Sequence, residues 1–260
     1  MEWNQGCGSK RSVTAATQWL FGYHAVAAVL RDANNDILRM LVRDGREVRR
    51  HRELISLATA AGVAIERCGA RRFEQLLGDV AHQGIAIEQR IPPEPDESEL
   101  YELVDAMTAP VLLLVLDEVT DPRNFGALLR VADGAGVHAV VTTRRNSAPM
   151  SALVHKSAAG AAGSVPVYRV TNLARALARL KQAGVWVVGL ADQASPRWLD
   201  ADLKVSCALV VGAEDVGLRR LTRESCDALI SIPMQGAASS LNVSVAAGIA
   251  LYEAWRQRHA

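Results

Sequence analysis

The chain has 260 residues, a formal charge of +1 and half of its residues apolar, ample for one or two cored domains and against a disordered polyelectrolyte. So balanced a charge singles out no partner, and no stretch approaches the length of a membrane span, which speaks against a membrane protein. Cys7, Cys68, Cys207 and Cys226 show no C-x-x-C or Cys/His ligand spacing, which predicts reduced thiols in a cytoplasmic protein without a metal site.

Lys10-Arg11 and the moderately apolar run to Leu30 resemble an export signal superficially. Gln18, Gly22 and His24 interrupt that run, and Ala25, Val26, Val29 and Leu30 continue it as an amphipathic helix, so export is rejected. Residues 1–18 lack periodicity and read as a disordered tail. From Trp19 onward the pattern alternates: helices over His24–Arg31, Arg49–Ala61 and Arg72–Leu77, strands over Ile37–Val42, Val63–Arg67 and Ile85–Gln89. None of these strands opens a Gly-rich phosphate loop. Residues 19–90 therefore read as a small α/β unit for binding rather than chemistry. His24, and later His138, sit in apolar sequence and read as satisfied core histidines. Basic clusters at Arg43–Arg52, Arg71-Arg72 and Arg144-Arg145 suit phosphate, although each also fits a solvated helix face.

Three prolines and three acids in residues 91–98 mark a linker, and residues 99–260 a second domain. It opens with a helix over Glu99–Met107 and the unbroken apolar strand Val111–Leu116, the pattern of a central strand covered on both faces. Asn124 then ends a loop and Arg130 rides the helix Ala127–Ala135, a spacing that lets both face one pocket. A strand over Ala139–Thr142, a helix over Leu173–Ala183 and strands at Val185–Leu190 and Ala208–Val211 follow. The last runs into Gly212-Ala-Glu214-Asp-Val-Gly217, which offers slim backbone and one carboxylate but fits an ordinary turn equally well. The strand Leu229–Ile232 stops at Pro233. The loop Gln235–Asn242 then crowds Ser239, Ser240 and Asn242 at the mouth of a helix that begins at Val243. Either Ser240 or Asn242 suffices as its N-cap. The surplus side chain hints at a site beyond the carboxyl end of a strand, where open α/β sheets hold ligands.

Three blocks stand together: Asn124-x-Gly126 with Arg130, Gly212-x-Glu214 with Gly217, and Ile232-Pro-Met234 with Ser239-Ser-Leu-Asn-Val-Ser-Val-Ala. In this order they resemble the three motifs of the SpoU/TrmH (SPOUT) family of RNA ribose 2′-O-methyltransferases. The resemblance continues through Gly22-Tyr-His-Ala-Val, His82-Gln-Gly, Val170-Thr-Asn-Leu-Ala-Arg and Leu221-Thr-Arg-Glu, and so spans nearly the whole chain after the tail. Asp215-Val216 departs from the family's usual Gly and another small or acidic residue, leaving Glu214 and Gly217 in place.

The resemblance implies an α/β fold whose C-terminal domain is a deep trefoil knot with a mostly parallel sheet, preceded by a ribosomal-protein-like RNA-binding domain. It implies that S-adenosylmethionine binds at the knot loops, on Leu190, Gly212, Ile232, Met234 and Leu241. It assigns catalysis to Arg130, oriented by Asn124 and Glu214, with Ser240 and Asn242 holding the ribose and the loop. The implied substrate is a guanosine in the peptidyl-transferase loop of large-subunit rRNA, free or in an assembling particle. A tRNA enzyme of the same family and a catalytically silent RNA scaffold are the alternatives. A homodimer with shared sites is implied too, and Ile249, Tyr252 and Trp255 on the last helix offer it an apolar face.

Overall fold

The computed structural model describes residues 17–31, 36–45, 49–78, 82–90, 95–192, 198–237 and 239–260. The expected tail before residue 17 and residues 91–94 of the linker lie outside these, as does part of the Arg43–Arg52 cluster.

The first sheet takes β1 (Thr17–Phe21), β2 (Ile37–Arg43), β3 (Ile65–Cys68) and β4 (Ile85–Arg90) in the order β1-β4-β2-β3. Only β2 and β3 run parallel. Helices α1 (Tyr23–Arg31) and α2 (Arg49–Ala60) bury Val26, Leu30 and Leu54 on one face. On the other face α3 (Ala70–Leu77) sets Phe73 against Leu41 and Ala86. Strand β1 corrects the sequence reading: Thr17 and Gln18, assigned to the tail, pair with Arg90 and Gln89. Its five residues carry too little alternation to announce a strand, and β4 supplies the ladder that does.

Following α4 (Glu97–Ala106), the second sheet is wholly parallel, in the order β10-β8-β9-β5-β6-β7. Its strands are β5 (Leu112–Asp117), β6 (Ala139–Thr143), β7 (Val167–Val170), β8 (Trp186–Leu190), β9 (Cys207–Gly212) and β10 (Ala228–Ile230). Helices α5 (Pro122–Gly134), α6 (Ala152–Ala158) and α9 (Val243–His259) cover the face bearing Leu112, Leu114 and Leu116. Helices α4 and α7 (Leu173–Gln182) cover the face bearing Leu113 and Val115. A strand buried on both faces must be apolar throughout, which is why β5 reads as one run. Helix α8 (Arg220–Ser225) closes the β9 to β10 crossover. The sequence reading missed α6, β7 and α8, all short, and it began α4 two residues late, because Asp96 with Glu99 forms a capping box around its first turn.

The first unit docks on the second through small residues. Gly160, at φ +106°, lies so close to α1 that a Cβ there would stand 3.2 Å from the Ala28 methyl. Opposite the site, Arg258 on α9 clasps the amino ends of the strands, donating to the carbonyls of Leu203, Pro110, Val111 and Val205 at 2.6–3.0 Å.

Buried Glu253 accepts two hydrogen bonds from Arg256 and one from Gln257. The Arg256 bonds hold its carboxyl below the ordinary value of 4.5 despite burial, with Gln257 adding to them. A depressed carboxylate stabilises the fold above its unfolded pKa, and that contribution fades as pH falls through the folded value. Wild type is therefore expected to melt above Glu253→Gln near neutral pH, the gap closing below about pH 4. Thermal unfolding from about pH 3 to 7 measures it, and a gap that widens on acidification contradicts the assignment.

Candidate active site

The carboxyl ends of β8, β9 and β10 open into a cleft that is open to solvent on one side. Leu190, Gly212, Ile232, Met234 and Leu241, the five residues expected at the cofactor, all line it. Ser240 and Glu214 line it as well. Asp192 also does; it follows β8, where a polar residue just past a buried strand was a usable signal.

Glycine makes the cleft wall possible. The loop after β9 doubles back, with Gly217 N–H donating to the Ala213 carbonyl at 2.8 Å and Gly217 at φ +66°. A Cβ on Gly212 would lie 2.1 Å from the carbonyl carbon and oxygen of Gly217, so only glycine admits this fold-back. Asp117, buried at the end of β5, steadies the loop's far side by accepting from Arg219 N–H at 2.8 Å. Asp215 and Val216, the departure from the family pattern, sit exposed at the loop tip, where substitution leaves the Gly212 to Gly217 contact unchanged.

At the mouth of the cleft the three motif blocks meet through side chains. Asn124 Nδ2 donates to Glu214 Oε2 at 2.9 Å, while Asn242 Nδ2 donates to Asn124 Oδ1 at 3.0 Å and to Glu214 Oε1 at 3.3 Å. Asn242 is the N-cap of α9, its Oδ1 accepting from the Ser244 N–H at 3.0 Å and the Ser244 hydroxyl at 2.6 Å. That cap fixes the amide's orientation, because with Oδ1 committed to the helix only Nδ2 is left to face the carboxylate. One side chain thus does two jobs, and Ser240, not needed as a cap, faces the cleft.

Three expectations need correction. Asn124 is not at the end of a loop: α5 starts at Pro122, capped by Asp121, whose Oδ1 accepts from the N–H groups of Arg123 and Asn124. Asp followed by Pro is a helix-start signature that the apolar periodicity, which becomes regular only from Ala127, hid. Arg130 is also not in Asn124's pocket. Six residues at about 100° each leave the two about 120° apart around α5. Exposed Arg130 instead lines a separate groove with His24, Asp133, Ala158, Ala159 and Ala161, between the two units. No hydrogen bond or ion pair joins it to another described residue. His24 is accordingly exposed and not a core histidine, whereas half-buried His138 is satisfied, its Nδ1 accepting from Leu112 N–H at 3.0 Å.

Gly126, the glycine of the first block, serves packing. A Cβ there would meet Ser157 Cβ at 2.5 Å and the Val154 carbonyl oxygen at 2.7 Å, so α5 reaches α6 only without a side chain. The described cysteines are free, and burial pushes all three thiols up, Cys226 to about 11, which leaves them inert at neutral pH. Among the described residues no cluster of His, Cys, Asp or Glu could hold a metal ion, and no helix is long and apolar enough to cross a membrane.

The cleft suits S-adenosylmethionine by its chemistry. Aliphatic walls match a flat purine, bare backbone at Gly212 allows close approach, and the carboxylates of Asp192 and Glu214 match a cationic sulfonium.

Comparison with known proteins agrees. Residues 111–252 match the model of the SpoU rRNA Methylase family, and residues 19–95 match that for RNA 2'-O ribose methyltransferase substrate binding. The chain is 45% identical, over 93% of its length and 92% of the relative's, to the 23S rRNA (guanosine-2'-O-)-methyltransferase RlmB of Nitrosomonas europaea. In fold it resembles a crystal structure of an RNA 2'-O ribose methyltransferase, with a TM-score of 0.77, 27% identity and coverage of 94% of this chain and 90% of that one. It also resembles the SpoU methyltransferase AviRb from Streptomyces viridochromogenes in complex with AdoMet, with a TM-score of 0.78, 24% identity and coverage of 94% and 91%. The chain belongs to the SpoU rRNA methylase family.

Proposed function

We propose that this protein is an S-adenosylmethionine-dependent methyltransferase acting on the 2′-oxygen of a guanosine ribose in 23S rRNA. Residues 19–90 choose the RNA, and residues 99–260 form the knotted catalytic domain. The observation that carries this reading is the Asn124–Glu214–Asn242 network: it joins all three motif blocks at the rim of a cleft suited to the cofactor. Similarity to relatives named as 23S rRNA guanosine methyltransferases supports the substrate.

Leu190, Gly212, Ile232, Met234 and Leu241 hold the cofactor, which when bound supplies an activated methyl group. The chain's own part is to align a poor nucleophile and stabilise it as its proton leaves. Ser240 hydrogen-bonds the ribose, and the network keeps the loops of Glu214 and Asn242 in register. Arg130 is not the base, because a guanidinium does not lose its proton near neutrality. It clamps the neighbouring phosphate and stabilises the developing alkoxide, and the proton passes to phosphate or water.

Because Arg130 faces away from its own chain's network, it serves the site of a second copy in a homodimer. Tyr252 and Trp255 on α9 are half exposed, and the end of α5 borders them: a Cβ on Gly134, one turn past Arg130, would lie 3.0 Å from Tyr252 Oη. That apolar face beside Arg130 is where the second copy sits.

The test is transfer of labelled methyl from S-adenosylmethionine to unmethylated 23S rRNA, with the modified nucleotide mapped. A single labelled guanosine 2′-oxygen is expected. Label in tRNA alone would make the protein a tRNA enzyme, and none in any RNA would make it a silent scaffold.

A further inference from the structure

Between β6 and α6 the chain makes a turn, Thr143–Ala148, that exposes Arg144 and Arg145. Neither side chain has a hydrogen bond or ion pair with another described residue. Below them the turn is unusually well built. Arg169 of β7, only 5% exposed, donates from Nη1 to Ser147 Oγ at 2.8 Å and the Thr143 carbonyl at 3.5 Å, and from Nη2 to the Ala148 carbonyl at 2.7 Å. Thr143 Oγ1 donates to the Arg145 carbonyl at 2.6 Å. Asn146, held at φ +56°, donates from Nδ2 to Glu118 Oε1 at 3.1 Å, and Ala148 N–H donates to the Val119 carbonyl at 3.0 Å.

Burying a guanidinium is costly, and a solvated surface turn has no need of one. Here the buried cation fixes the shape of a turn whose two outward arginines are left uncommitted. Glu118, the acid bound to the turn, does not neutralise them, since Arg219 already pairs with it. The turn also lies close to the start of α5, which carries Asn124. It lies one strand over from β5, and the Arg169 guanidinium stands 6.0 Å from the ring centroid of Phe125, the residue after Asn124. Two free guanidinium forks on a rigid turn at the carboxyl edge of the sheet match the geometry of phosphate oxygens.

We infer that this turn is a phosphate clamp for the substrate RNA. Arg144 and Arg145 grip the backbone next to the strand segment that carries the target ribose, and Arg169 is the positioning residue beneath them. The inference rests on the RNA methyltransferase reading above.

Full-length wild type, Arg144→Ala/Arg145→Ala, Arg144→Lys/Arg145→Lys and Arg169→Lys are compared on unmethylated 23S rRNA transcript. The double alanine variant is expected to raise KM for RNA about tenfold with kcat nearly unchanged, the cost of two lost charge-assisted contacts. Its salt dependence of RNA binding, plotted as log affinity against log salt, should flatten by about 1.4, two contacts at about 0.7 each for single-stranded RNA. The double lysine variant keeps the slope. Arg169→Lys raises KM without changing kcat, because a lysine cannot fork to three acceptors. Affinity for S-adenosylmethionine, measured by calorimetry, stays at the wild-type value in all of them and shows that the fold is intact. An active wild type with unchanged KM and salt slope in the double alanine variant overturns the clamp alone. A wild type that methylates no RNA overturns the functional reading and the clamp together.

Discussion

Gly212→Ala is expected to abolish cofactor binding and lower the melting temperature together. The new methyl would stand 2.1 Å from the Gly217 carbonyl, a backbone group that cannot swing aside as a side chain does. To make room, the segment Ala213–Gly217 must lift off β9, breaking the Gly217 N–H to Ala213 carbonyl bond and displacing Glu214 from Asn124 and Asn242. Overpacking of this severity costs about 3 kcal/mol, which for a domain of this size lowers Tm by roughly 6–12 °C. Affinity for S-adenosylmethionine should fall at least ~100-fold, since the lifted segment is one wall of its cleft. Calorimetry and thermal unfolding check both parts. Unchanged affinity in a protein that melts normally would mean the loop does not fold back in solution.

The second large effect belongs to Arg130. Arg130→Ala is expected to lower methyl transfer by about 10²–10³ while leaving cofactor affinity and Tm unchanged, the loss typical of a donor aimed at developing negative charge. The side chain is exposed and touches neither the cleft nor the network, so nothing else should suffer. Its orientation sharpens the test. Asn242→Ala, which breaks the network but not the sheet, should be nearly inactive as well, so the two variants can be mixed. If Arg130 serves the second copy's site, a mixed dimer holds one sound site, and random exchange returns roughly a quarter of wild-type activity. If Arg130 serves its own chain, mixing restores nothing. Cofactor affinity that collapses in Arg130→Ala would overturn the division of roles altogether.

The sequence discloses what local forces decide. Val111–Leu116 and Ala208–Val211 read as central strands because both of their faces are buried, and the helix from Val243 shows its buried side through Ala247, Ala250 and Leu251. Strand β1 is invisible because its partner lies some seventy residues away, as in the pairing of Thr17 with Arg90. Arg169 gives no sign of burial in the sequence, since only the fold brings Thr143, Ser147 and Ala148 around it. The site divides in the same way. Asn124, Glu214 and Asn242 stand out by resemblance to a family, while spacing alone could not pair residues 90 and 118 positions apart. Spacing did suggest that Asn124 and Arg130 face one pocket, and it misled, because the suggestion assumed that Asn124 lay outside the helix.

The double duty of Asn242 leaves the site vulnerable to chemical ageing. Hydrolysis of its amide to a carboxylate removes few atoms and keeps the cap, since the oxygen facing Ser244 N–H remains. The lost NH₂, however, was the donor to Glu214 and Asn124, and the oxygen that replaces it stands about 3.3 Å from Glu214 Oε1. Two negative oxygens at that separation repel, so the link from position 242 to Glu214 that joins two of the motif blocks is lost. An aged molecule would therefore keep its helix and its fold while its network stays open, a lesion seen as lost methyl transfer before it is seen as lost stability.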